Sequence, residues 1–160
     1  MAGVDYIEVV VNAGTKNARI IEMGKCGDDN IESGVMVDIN ADGKIVRCPD
    51  ISTGEGNSDR VPLGFALKDY SPGEVVDVVT GDGIVINAQM DSPYAAHHVG
   101  LELGLMYYGN GRGRLGYIYP ENENARIHAI MLSGTTTVRK KHQDGSSGGA
   151  MRVYAKVLVI

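Results

Sequence analysis

Apolar residues recur at every second position along most of this chain, in short runs broken by glycine-rich turns. The pattern is clearest from Val61 to Met90. Val61, Leu63, Phe65 and Leu67 share one side of an extended segment, and Gly64, Ala66 and Lys68 take the other. Ser71-Pro72-Gly73-Glu74 then turns the chain, since Pro72 presets φ and Gly73 supplies a left-handed position. Val75 to Val79 is β-branched except at Asp77, Asp82-Gly83 turns again, and Ile84, Ile86 and Ala88 alternate. This spacing predicts a three-strand meander.

The same reading predicts further strands over Arg19–Met23, Ile31–Ile39, Lys44–Cys48, Leu101–Tyr108, Arg114–Tyr119, Ala125–Leu132, Thr135–Lys141 and Met151–Ile160. Val4 to Val11 alternates only partly and reads as a strand or an extended arm. Pro49 to Arg60 is polar and glycine-rich, which predicts a surface loop. A single short helix is expected at about 93–98, with Ser92 as N-cap and Pro93 as first helical residue. The expected fold is all-β: one compact antiparallel barrel or sandwich over residues 1–160, with residues 1–12 as a possible arm. A weak internal echo links Ser33-Gly34-Val-Met-Val to Val99-Gly100-Leu-Glu-Leu, each followed by a glycine turn, a basic-aliphatic pair and a proline. It predicts two similar hairpins but no repeat array.

Composition supports the turn-rich reading. The 160 residues include 22 glycines, about double ordinary usage, with no collagen period, and one Phe, no Trp and eight Tyr. A formal net charge of −5 argues against a broad nucleic-acid-binding face. The one basic run, Arg139-Lys140-Lys141, is expected at a solvated hairpin end. No apolar run is long enough to predict a membrane span, and the first twelve residues carry Asp5 and Glu8 without a basic leader, so a secretory signal is not expected. Cys26 and Cys48 lie in no CxxC pair and are expected as two reduced, half-buried thiols, although pairing stays open.

Candidate chemistry is sparse. Asp38, Asn40, Asp42 and Gly43 match the opening of a calcium loop, but Pro49 stands where the bidentate carboxylate belongs. Asp-Gly between alternating apolar runs makes a hairpin turn the stronger reading. Gly111 to Gly116 spells GxGxxG, yet the residues up to Pro120 cannot open the helix that a dinucleotide site needs, so a tight hairpin is expected there too. His97 and His98 are adjacent, while His128 and His142 have no partner by spacing. Asp77 and Asp82 offer a dispersed acid-base pair at most. No enzyme and no cofactor are expected.

Ile31-Glu-Ser-Gly34-Val, Asp42-Gly43-Lys-Ile45, Val61-Pro-Leu-Gly64-Phe-Ala66-Leu, Ser71-Pro-Gly73-Glu74-Val75 and Gly81-Asp-Gly83 together resemble the capsid decoration (cement) proteins of tailed bacteriophages and related archaeal viruses. The resemblance covers about sixty residues. It implies a β-barrel, commonly trimeric, made in the host cytoplasm and carried on the outside of the virion, where it clamps the major capsid protein lattice. On that reading Val4, Tyr6, Ile7 and Val9 form an arm that adds to a sheet edge of the capsid or of a neighbouring copy. Tyr107 and Tyr108 fall at a subunit or capsid contact. The rival reading is a carbohydrate-binding barrel in which Tyr107, Tyr108, Tyr117 and Tyr119 stack on sugars.

Overall fold

The computed structural model describes residues 18–27, 30–48, 62–91, 99–105, 112–118, 126–143 and 151–160. Its elements are all strands: β1 (Arg19–Lys25), β2 (Met36–Ile39), β3 (Ile45–Arg47), β4 (Gly64–Ala66), β5 (Val75–Thr80), β6 (Val85–Met90), β7 (Glu102–Leu105), β8 (Leu115–Tyr117), β9 (Ala129–Met131), β10 (Thr136–Lys141) and β11 (Met151–Val159). The fold is all-β, as the alternation predicts. The expected helix at about 93–98 lies outside the described residues.

The strands form two sheets. The first runs β1-β5-β4-β2-β3 and curls until its edges meet at one parallel bridge, Cys26↔Ile45. In the second, β11 pairs with both β6 and β9, so β6-β11-β9-β7-β8 closes into a five-stranded barrel through the parallel bridge Met90↔Leu115. β10 lies outside this ring, on the first half of β11.

Alternation sorts the side chains between two cores. Val37, Ala66 and Val78 point into the curl of the first sheet with Ile45, Tyr70 and Val76. Their chain neighbours Met36, Phe65 and Val79 point the other way and join the core that fills the barrel. They lie in register, Met36↔Phe65↔Val79, so one row of the first sheet seals the barrel. Phe65 is 1% exposed, and burying such a ring contributes about 2–3 kcal/mol.

Three expectations change. First, β4 and β5 pair as expected, but β6 leaves for the second sheet, so the segment is no meander. Gly83 N donates to Val159 O at 2.8 Å, which makes the Gly81–Gly83 turn a crossover. Ile84, Ile86 and Ala88 face inward in either sheet, so the local pattern carries no information about the partner. Second, Arg139-Lys140-Lys141 ends β10 at the β10–β11 hairpin, as expected, but it is not simply solvated, because Lys140 Nζ pairs with Asp69. Third, both free cysteines are fully buried, at 3% and 1% exposure, one in each core.

The echo between the two halves runs deeper than two hairpins. The cyclic orders β1-β5-β4-β2-β3 and β6-β11-β9-β7-β8 are the same wiring, and their registers agree pair by pair. Ile39↔Ile45 corresponds to Leu105↔Leu115, Val37↔Gly64 to Leu103↔Ala129, Ala66↔Val78 to Met131↔Val157, and Ile21↔Val78 to Ile86↔Val157. The bridges that close the rings join corresponding residues as well, Cys26 with Met90 and Ile45 with Leu115. Even single hydrogen bonds recur: Gly34 N donates to Ala66 O at 2.9 Å, and Gly100 N to Met131 O at 2.6 Å. The described strands make two copies of one five-strand unit, with β10 inserted in the second.

Candidate functional site

The most unusual chemistry lies where the two units meet. Glu32 and Ser33 precede β2, and Asp69 lies between β4 and β5. β11 lays Arg152 and Tyr154 against them on the face opposite its barrel residues. Arg152 is fully buried. Its Nη1 donates to Asp69 Oδ1 at 2.7 Å, and its Nη2 lies 3.5 Å from Glu32 Oε2. Lys140 Nζ of β10 approaches Asp69 Oδ2 to 2.6 Å, and Arg114 Nη2 lies 3.7 Å from Glu32 Oε1. His142 Nδ1 stands 2.8 Å from Glu32 Oε1 and 2.9 Å from Arg114 Nη2. That one nitrogen can donate to the carboxylate or accept from the guanidinium, but not both at once. Ser33 Oγ and Tyr154 Oη are 2.7 Å apart, and Gln89 Nε2 donates to Ser33 O at 3.3 Å.

Electrostatics make this a weld. Burial alone would raise the Glu32 pKa, but hydrogen bonds from His142 and the Gln143 amide, with the Arg152 charge, hold it below the usual range. Burial likewise opposes ionisation of Asp69, and Arg152, Lys140 and the Ser33 amide overcome it. Burial would lower the Arg152 pKa, and the same two carboxylates raise it instead. Both acids are therefore ionised and paired at neutral pH, which suits them to holding two units together and not to shuttling protons.

A second feature lies between the outer face of the first sheet and one end of the barrel. There a cleft of about 320 Å³ is lined by Leu63, Phe65, Val79, Ile84, Arg126 and His128, with Asp82 at its edge. His128 is 7% exposed. Burial, with repulsion from Arg126, pushes its pKa down to about 4, so the ring is neutral.

The third feature is the outer edge of β1. One edge pairs with β5 along its length, while the other meets β3 at the Cys26 bridge. Ile20 and Ile21, on opposite faces, are 56% and 37% exposed. The strand also carries Arg19, Glu22 and Lys25, but its two exposed isoleucines and partly unpaired edge offer a template for another strand.

Val4, Tyr6, Ile7, Val9, Tyr107 and Tyr108 lie outside the described residues, as does Tyr119; Tyr117 is 39% exposed on β8. The calcium candidates form a hairpin turn. Asn40 Oδ1 accepts from the amides of Asp42 at 2.9 Å and Lys44 at 3.0 Å, and Asp38 Oδ1 from Ile39 N at 2.7 Å. Among the described residues no three His, Cys, Asp or Glu side chains gather as metal ligands. Asp77 is bound up with Tyr70, whose hydroxyl donates to Asp77 Oδ2 at 3.3 Å.

Glu32, Asp69 and Arg152 have no assigned role on the sequence reading, and Arg114, Lys140 and His142 are not joined to them there. The available signal was Arg152 in a nine-residue strand whose other face is apolar. That pattern reads as a polar outer face until a second unit covers it. No protein-family model, curated protein or solved structure matches this chain.

Proposed function

We propose that this chain is a structural virion protein that binds the outer surface of a tailed-virus capsid and stabilises the lattice of the major capsid protein. The observation that carries the reading is the edge of β1. It presents exposed Ile20 and Ile21 on β1, which is separated by seven residues from the segment from Val4 to Val11. Strand addition between such an edge, its preceding arm and a neighbouring sheet gives affinity through backbone hydrogen bonds that need no catalytic chemistry.

Two further points support it. The glycines that carry the resemblance, Gly34, Gly43, Gly64, Gly73 and Gly83, all adopt positive φ, so those motifs are backbone requirements of the first unit. The buried charge joint holds two units as one stiff body, and a clamp must not yield between its points of attachment. Symmetric multivalency then turns individually weak contacts into durable ones.

The test is co-sedimentation with heads assembled from the major capsid protein of the same genome. The full chain pellets with the heads, and a chain lacking residues 1–12 stays in the supernatant with its β-sheet circular dichroism intact. Undiminished binding by the shortened chain would remove the arm from the account.

A further inference from the structure

Among the described residues the two units are joined in one direction only. The first gives a loop: Gly34 O accepts from Gln89 N of β6 at 2.9 Å, and Met36 N donates to Gly113 O at 2.8 Å. The second gives a seam, the gap between its first strand, β6, and the turn that precedes its third strand, β8. Since the units share one register, each element has a counterpart. The loop Ser33–Met36 matches Val99–Glu102, and the seam residues Gln89, Gly113 and Tyr154 match Lys25, Gly43 and Val75.

Those counterparts lie open. A Cβ built on Gly34 would stand 2.8 Å from Gln89 N, and one on Gly113 2.8 Å from Met36 O, so both glycines are pressed into the joint. On Gly100 and Gly43, which also have positive φ, it would meet nothing within 4 Å among the described residues. Exposure tells the same story: Ser33 is 1% exposed and Val99 69%, and Tyr154 is 3% exposed and Val75 47%. A polar residue is buried at the used loop, and an apolar one stands in solvent at the unused loop.

We propose that copies of this chain associate head to tail, the Val99–Glu102 loop of one copy seating on the β1 seam of the next and repeating the internal joint between units. Cys26 N donates to Glu74 O at 2.8 Å, so strand alternation turns the Lys25 amide away from β5, as required to bond Gly100 O of another copy. Charge is complementary, with Glu102 on the loop and Lys25 and Lys44 beside the seam, all exposed. Within the chain, Arg114, the counterpart of Lys44, already faces Glu32. The unused seam is narrow, since Gly43 O would lie 3.3 Å from a Cβ on Gly24, so docking swings the exposed Ala41–Lys44 turn outward. A heterologous contact of this kind closes into a ring when its rotation allows. The inference stands apart from the capsid reading, because it concerns only copies of this chain.

Light scattering on the full chain tests it. At about 10 μM, above the ~1 μM Kd of a modest specific contact and below the ~100 μM of a contact weakened 100-fold, the chain runs above monomer mass. Val99→Asp spoils the loop and Val75→Asp the seam. Each weakens association at least 100-fold and runs as a monomer with unchanged circular dichroism. Mixed in equal amounts the two variants form a dimer, because one intact loop meets one intact seam. If an aspartate unfolds the chain, Val99→Ser and Lys25→Glu take its place with the same readings. A monomeric parent chain, variants that keep the parent mass, or a mixture that stays monomeric overturns the proposal.

Discussion

Arg152 of β11 donates to Asp69 of the loop after β4 at 2.7 Å, a buried ion pair between two units that share one wiring. Removing the cation leaves Asp69 and Glu32 as buried carboxylates with too little compensation, which costs about 3–5 kcal/mol. Arg152→Met therefore lowers the thermal midpoint by about 10 °C. The triple change Arg152→Met, Asp69→Asn, Glu32→Gln recovers only part of that loss, because Arg114 and Lys140 then lose their carboxylate partners. Calorimetry of both variants checks the pair of outcomes.

Acid acts on the fold in two stages. His128 has its folded pKa lowered to about 4 from 6.5, so the folded state binds fewer protons and stability falls as pH drops from 6.5 towards 4. The loss is at most about 3 kcal/mol. Glu32 and Asp69 are also depressed, from 4.5 and 3.8, so their contribution is present above those values and is lost at lower pH. Urea unfolding at pH 7, 5.5 and 4.5 shows a decline that His128→Leu abolishes, while the steeper loss at lower pH persists in that variant.

Gly64 and Gly73 separate two costs of adding a methyl group. Both have positive φ, but a Cβ on Gly73 meets open space among the described residues, whereas one on Gly64 runs into Val79 O of β5. Gly73→Ala costs only backbone strain, about 1 kcal/mol. Gly64→Ala also forces β4 from β5 and unsettles the Met36–Phe65–Val79 row, at about 3 kcal/mol or more. Denaturant midpoints distinguish the two.

The strands were legible because alternation is a local signal, and every described strand lies in or close to an expected segment. Pairing was not. Asp82-Gly83 is an ordinary hairpin signal, and only the long-range bonds of Val85–Met90 to Leu115 and to β11 show that it crosses between sheets. The glycines of the echo, Gly34 and Gly100, were visible, but unequal loops and the inserted β10 concealed that whole units repeat. The charge joint was hidden for a related reason. Glu32, Asp69 and Arg152 are far apart in sequence, and each looks like a solvent-facing residue until the second unit covers it.

The most direct measurement of the central claim is electron microscopy of tailed-virus heads from the same genome, incubated with the full chain. The account predicts regular, saturable density at symmetry-related positions on the outer surface of the shell, into which the two-unit body fits. Bare shells at a large excess of the chain would contradict it.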